Sequence, residues 1–286
     1  MKPISRRGFL ASASKATVAA IAVSQIPSLV SAAGIVQMPL GVQSWSVKDT
    51  LDKDLQGTLK RIAGLGYSRI EMCYPKGYAG IGFGTIAKMP ASALRKTIED
   101  AGMGCFSCHF GFGDLAEDHL GESIAFAREM GLTQMICSTF WLPGTATLKD
   151  YQEAAAKLNL AAEKIKEAGM QTGFHNHEFE FHILEGALIY DVLMKSFDPA
   201  LVKMQFQTEV INLGYQAAEY FNKYPGRFLS AHLSDWTADK KEVPIGKGII
   251  DWRKFFAAAK TGGVENIFVE MSPETFRDSA IYLKSL

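Results

Sequence analysis

Past about residue 37 the chain alternates between two hydrophobic rhythms. Short, nearly continuous apolar runs are separated by longer stretches in which apolar residues return every three or four positions. The first rhythm predicts buried strands, the second amphipathic helices. The junctions share a pattern: a helical stretch ends at a glycine, an apolar residue follows, and a strand begins. It occurs at Gly66, Gly102, Gly131, Gly169 and Gly263. Glycine there supplies the left-handed cap that ends a helix. Strands are predicted at 37–44, 69–73, 104–109, 134–138, from 170 into a histidine cluster, 202–207, 228–234 and 266–270. Helices are predicted at 52–65, from 90, at 121–130, 148–168, 189–196, 217–223, 252–260 and 273–286.

Eight strands alternating with eight helices imply a parallel sheet, and the length suits a single α/β domain, a (β/α)8 TIM barrel over 33–286. An open doubly wound sheet would carry a glycine-rich phosphate loop after its first strand. Gly41-Val42-Gln43-Ser44-Trp45 is not such a loop. Gly80-Ile81-Gly82-Phe83-Gly84 is glycine-rich without the required spacing, and is expected to be a flexible loop over the site.

Charge changes the picture at the N-terminus. Residues 1–32 hold Lys2, Arg6, Arg7 and Lys15 and no acid. Ser5-Arg6-Arg7-Gly8-Phe9-Leu10, the small and apolar run after it, and Val30-Ser31-Ala32 predict a cleaved twin-arginine signal peptide. Lys15, Ser24, Gln25 and Pro27 interrupt the run, which argues against a stable membrane span. The expected address is therefore the periplasm. The full chain has no net charge; without 1–32 it carries −4, which gives nucleic acid no basic footing. Cys105 and Cys108 form a C-x-x-C, but all four cysteines lie in apolar strand-like segments and are expected to be buried free thiols.

Chemistry collects at the C-terminal ends of the strands, where barrels of this kind place their sites. Met170 to Phe181, MQTGFHNHEFEF, is the densest stretch. His175 and His177 are two apart and would share a face if the strand continued. Gln43, Trp45, Glu71, His109, Trp141, Gln205, Gln207, His232, Asp235 and Glu270 fall at other strand ends, so four of the six histidines gather there. Glu71 suits either proton transfer or a buried ion pair. Asp235 suits either a ligand contact or a turn cap. Trp45 and Trp141 suit either packing or the apolar face of a sugar.

The segments HNHEFEF, KYPGRF, AHLSDW, VPIGKGIIDW and IFVEM, in that order, with GVQSWSVKD at the first strand, resemble the sugar phosphate isomerase/epimerase superfamily of xylose isomerase-like TIM barrels. The resemblance spans about Gln37 to Leu286. It implies a carbohydrate substrate and a divalent metal (Mn, Zn, Co, Mg or Fe) held by Glu, Asp, His and Glu from strands five to eight. His232 and Glu270 match that pattern. Gln207 stands where the family has aspartate, and His175 near its first glutamate. The implied ligands are thus His175, Gln207, His232 and Glu270. The implied acid/base residues are Glu270 and Glu71, His177 or Glu178, with Trp45, His109, Trp141 and Asp235 around the substrate. The implied reaction removes a proton beside a carbonyl, leading to isomerisation or epimerisation. Dehydration or β-elimination is the alternative, and a non-catalytic sugar-binding protein a third reading. The resemblance also brings a possible homodimer.

Overall fold

The computed structural model describes residues 36–286, and the segment expected to be a signal peptide lies outside them. Eight parallel strands close into a barrel: β1 Leu40–Gln43, β2 Arg69–Cys73, β3 Ser107–Phe110, β4 Gln134–Cys137, β5 Gln171–His175, β6 Val202–Gln207, β7 Phe228–Leu233 and β8 Asn266–Val269. Each pairs with its neighbours in sequence, and β8 closes on β1 with Leu40 opposite Ile267 and Val42 opposite Val269. The surrounding helices are α1 Leu55–Gly64, α2 Ala91–Asp100, α3 Glu117–Met130, α4 Leu148–Glu167, α5 Ile189–Ser196, α6 Ala217–Lys223, α7 Trp252–Gly262 and α8 Phe276–Ser285. This is the expected (β/α)8 TIM barrel. Among the described residues no helix is long and apolar enough to cross a membrane.

Local chemistry sets these boundaries. Asp54, Thr147 and Asp251 cap α1, α4 and α7 by accepting backbone N–H bonds from their first turns. The five junction glycines all have positive φ, between 72° and 96°. Helix α3 starts at Glu117, earlier than its sequence suggests, because Gly121 is accommodated inside it and Glu117 and Asp118 favour its N-terminus.

The two faces of the strands divide the labour. Outward residues such as Phe174, Met204 and Phe206 pack under the helices, Phe206 against Tyr220 and Phe221. Burying a side chain such as Phe206 stabilises the fold by about 1.5–3 kcal/mol. Inward residues are unusually polar: Gln43, Glu71, Ser107, His175, Gln205 and Ser230 are all buried. Between Met204 and Gln205 the register to β7 skips from Phe228 to Ser230. The extra residue, Leu229, approaches Gly173 on β5, where a Cβ would come within 3.2 Å of Leu229 and 2.5 Å of Ile136. Gly173 thus makes room for an apolar plug beneath the polar layer.

The segment 79–84 is exposed at 79–81 and pinned at Phe83 and at its flanks. Phe83 is buried, Tyr78 Oη donates to Ser138 Oγ at 2.7 Å, and Asp52 accepts from Thr85 N and Ile86 N. The four cysteines are free thiols, three buried and Cys105 half-buried, two residues before β3.

Candidate active site

The site grows from a buried carboxylate. Glu71, in the middle of β2 and not at its end, is fully buried and every side of it is engaged. Gln43 Nε2 donates to its Oε2 at 2.6 Å, and Ser107 Oγ and Gln205 Nε2 donate to its Oε1 at 2.5 and 2.8 Å. His232 Nε2 lies 2.5 Å from Oε2, and His109 Nε2 lies 3.2 Å from it. Burial alone would raise the Glu71 pKa. The charges and hydrogen bonds of His109 and His232 outweigh it and hold the group well below the usual carboxylate range. The sequence left Glu71 between proton transfer and a buried ion pair, and the acid/base role is corrected: sealed and saturated with donors, Glu71 pairs with His232 and anchors its neighbours.

His232 carries the connection upward. Its Nε2 faces Glu71, and its Nδ1 lies 2.8 Å from Oε2 of Glu270, which directly follows β8. Burial would lower its pKa, but the carboxylates of Glu270 and Glu71 push it up to about 9. The ring is then an imidazolium with a carboxylate on each nitrogen. Glu270 is held below its ordinary value despite burial, chiefly by the His232 charge. Gln207 Nε2 donates to the same Glu270 oxygen at 2.7 Å. Among the described residues Oε1 of Glu270 has no partner, and 19% of the side chain is open.

Two expected roles change here. Gln207 was expected to offer an oxygen to a metal. Instead its amide nitrogen is turned to Glu270 and its Oε1 accepts from Glu209 N at 3.3 Å. An amide beside a carboxylate must present its N–H, so the oxygen is turned away. His109, expected at the substrate, belongs to the deeper cluster: its Nε2 lies 2.6 Å from Gln205 Oε1. His109, His175 and His232 offer nitrogens within 4.8 Å of one another, and these three buried histidines could form a metal site. His175 Nδ1 is buried without a partner, and burial with its histidine neighbours drives its pKa well down. A neutral imidazole with a free nitrogen is the ligand form, and such a donor set suits Zn, Fe or Co better than Mg. Coordination through His232 would displace a proton and one carboxylate contact.

The strand ends at His175, so His177 does not reach the site by strand alternation. It lies in the following turn, its ring 4.8 Å from that of His175 and stacked on Phe179 at 5.2 Å. Burial pushes its pKa down to about 4, with the Glu270 charge opposing. Glu178 is exposed at the rim, whereas Glu180, to which the sequence assigned no role, is buried. Glu180 accepts from His177 N at 2.8 Å and is bonded to Thr139 Oγ1 at 2.8 Å, and burial pushes its pKa up to about 8. It fixes the His177 turn from below.

Trp45 and Trp141 stand at the rim, 41% and 66% exposed. Asp235 is corrected from a substrate contact: of the two roles the sequence left open, ligand contact or turn cap, its hydrogen bonds fit the second, and it anchors a loop. It is fully buried and accepts from Gly246 N, Gly248 N, Ile250 N and Trp252 Nε1, folding the segment 244–252 around itself. Ser107, Gln205 and Ser230, which hold Glu71 or its partner, had no role assigned from sequence. Each lies two residues before His109, Gln207 or His232, and on a strand that spacing faces the same lumen.

Comparison with known proteins adds the family. A family model described as a xylose isomerase-like TIM barrel matches residues 59–286. A sugar phosphate isomerase/epimerase from Parabacteroides distasonis superposes with a TM-score of 0.76 at 22% identity, covering 90% of this chain and 99% of that one. An L-ribulose 3-epimerase gives 0.62 at 18% identity, covering 87% and 86%. A probable 3-DHS dehydratase from Bacillus anthracis gives 0.63 at 10% identity, covering 86% and 99%. No curated protein matches the sequence.

Proposed function

The chain belongs to the xylose isomerase-like TIM barrel family, and from that premise we propose that it is a metal-assisted carbon-acid enzyme acting on a carbohydrate. The observation that carries this reading is Glu270. One of its oxygens is gripped by His232 Nδ1 and Gln207 Nε2, and the other faces the mouth without a partner. A carboxylate so fixed is aimed, ionised and reachable, as a general base must be. Its Oε1 takes the proton from the carbon beside the substrate carbonyl, giving isomerisation or epimerisation when the proton returns elsewhere. His232 steadies Glu270 from behind through its Nδ1–H, a contact that the neutral ring of a metal-bound His232 also makes, and Glu71 orients the ring in the metal-free protein. His177, neutral and with Nδ1 unpaired, is the second proton-transfer group.

His109, His175 and His232 would hold a divalent ion with Glu270 beside them. When bound, it supplies positive charge to stabilise the oxyanion that proton removal creates. Elemental analysis tests this part, beside a His232→Ala control. About one Zn, Fe, Co or Mn per chain, lost in the control, supports it. No bound ion, and no rise in melting temperature on adding one, contradicts it.

One observation favours elimination as a second reading: Glu71 is sealed, so Glu270 is the carboxylate of this cluster open to substrate. A single carboxylate base suits loss of water or an alkoxide from the neighbouring carbon as well as it suits epimerisation. Product analysis separates the two, an unsaturated sugar in one case and a stereoisomer in the other. The twin-arginine segment makes the periplasm the proposed location, which favours free sugars or glycosides over sugar phosphates.

A further inference from the structure

Among the described residues, Trp141 is the most exposed large apolar side chain, at 66%. Its backbone is held at φ 51°, in the left-handed region that a bulky residue rarely adopts. Strain of this kind persists where surrounding structure enforces it, and it clusters at functional sites. The indole does not stand alone. Its centroid lies 5.8 Å from the His177 ring and 6.0 Å from Phe179, while His177 and Phe179 stack with an interplanar angle of 6°. The inner end of this wall touches the catalytic cluster, since His177 lies edge-on to His175 at 4.8 Å. Three rings thus lead from solvent to the histidines with no gap. The other two exposed aromatics are engaged differently: Phe106 lies under the Arg69 guanidinium, and Trp45 meets Tyr78 and Lys48.

We propose that Trp141, with His177 and Phe179 beside it, forms a subsite for a second ring, so that the substrate is a glycoside whose ring beyond the reacting sugar lies on the exposed Trp141 indole. The proposal rests on the carbohydrate reading of Glu270 and narrows it. Aromatic faces hold flat rings through dispersion and C–H or π contacts, and a pyranose and an aryl group share that chemistry. A monosaccharide seated between Glu270 and His177 would leave the outer ring, Trp141, bare.

The test is a binding titration, by calorimetry, with methyl β-D-glucopyranoside, phenyl β-D-glucopyranoside and cellobiose. In the wild type the phenyl glycoside, cellobiose or both bind about tenfold more tightly than the methyl glycoside, a gain of about 1.4 kcal/mol. Trp141→Ala removes that ratio, and Trp141→Phe keeps part of it. A gain for phenyl alone assigns an aryl group, and a gain for cellobiose alone assigns a sugar ring. Trp141→Gly, which relieves the backbone, raises the melting temperature while losing the ratio. Binding of the methyl glycoside with no gain from a second ring, or a gain that survives Trp141→Ala, overturns the subsite and leaves the Glu270 reading standing. Failure of all three to bind overturns the subsite and leaves the Glu270 reading to proton exchange on keto-sugars, since none of the three presents a ketone.

Discussion

Glu71 and Glu270 hold the same imidazole from opposite nitrogens, yet they live in different parts of the barrel. Glu71 sits on the floor of the lumen, closed in by Gln43, Ser107 and Gln205, with no surface exposed. Glu270 sits at the mouth, with one oxygen fixed and one open. Both carboxylates are ionised because both face His232. Access decides what each can do. A carboxylate whose lone pairs are all taken supports and orients; one with a free oxygen at a pocket mouth can react. Residue type and strand position are therefore insufficient to assign a catalytic role in this lumen.

Removing the floor should cost the most stability. Glu71→Ala leaves His232 and the donors around it without their acceptor, and is expected to destabilise the fold by about 3–5 kcal/mol in denaturant titration. A loss below about 1 kcal/mol would mean that water reaches the floor.

Titration sharpens the same contrast. The folded pKa of His232 is raised, from about 6.5 when unfolded to about 9. In the metal-free protein its contribution is complete below pH 6.5 and is lost as pH rises through about 9. The expected loss is about 2–3 kcal/mol, absent in His232→Asn, and melting curves across that range measure it. A flat profile would contradict an imidazolium shared by two carboxylates.

Asp235 offers a control away from this pair. Asp235→Ala should cost about 2 kcal/mol and expose the segment 244–252 to proteolysis, because five donors, four of them in that segment, lose their acceptor. A direct substrate contact would instead raise KM and leave the melting temperature unchanged.

Glu180 should show an effect of distinctive sign. Its pKa is raised by burial to about 8, so ionisation opposes folding as pH rises from about 4.5 toward 8. Glu180→Gln mimics the protonated acid and should stabilise the protein at pH 9 and change nothing at pH 4. Equal destabilisation at both pH values would show that Glu180 is ionised in the fold.

The barrel was legible because two hydrophobic periods alternate throughout and glycine caps mark five of the seven helix-to-strand junctions, and each period reports one buried face. The candidate centre was legible in position, since His175, His232 and Glu270 stand where strand ends must converge. Roles were less legible. Gln207 reads as an oxygen donor until the Glu270 carboxylate turns its amide around. Asp235 reads as a mouth residue until 244–252 folds over it. Glu178 and Glu180 are indistinguishable in sequence, and the turn at Phe179–Phe181 buries one and exposes the other. These outcomes depend on which partner lies across the lumen, and local pattern carries no record of that.

The most direct measurement is deuterium incorporation from heavy water into a panel of keto-sugars and keto-glycosides, by the metal-loaded wild type and by Glu270→Gln. The account predicts exchange at the carbon beside the carbonyl in the wild type, lowered about a thousandfold in the variant, with the melting temperature nearly unchanged. Equal exchange in both proteins would contradict it, because the open oxygen of Glu270 would then not be the base.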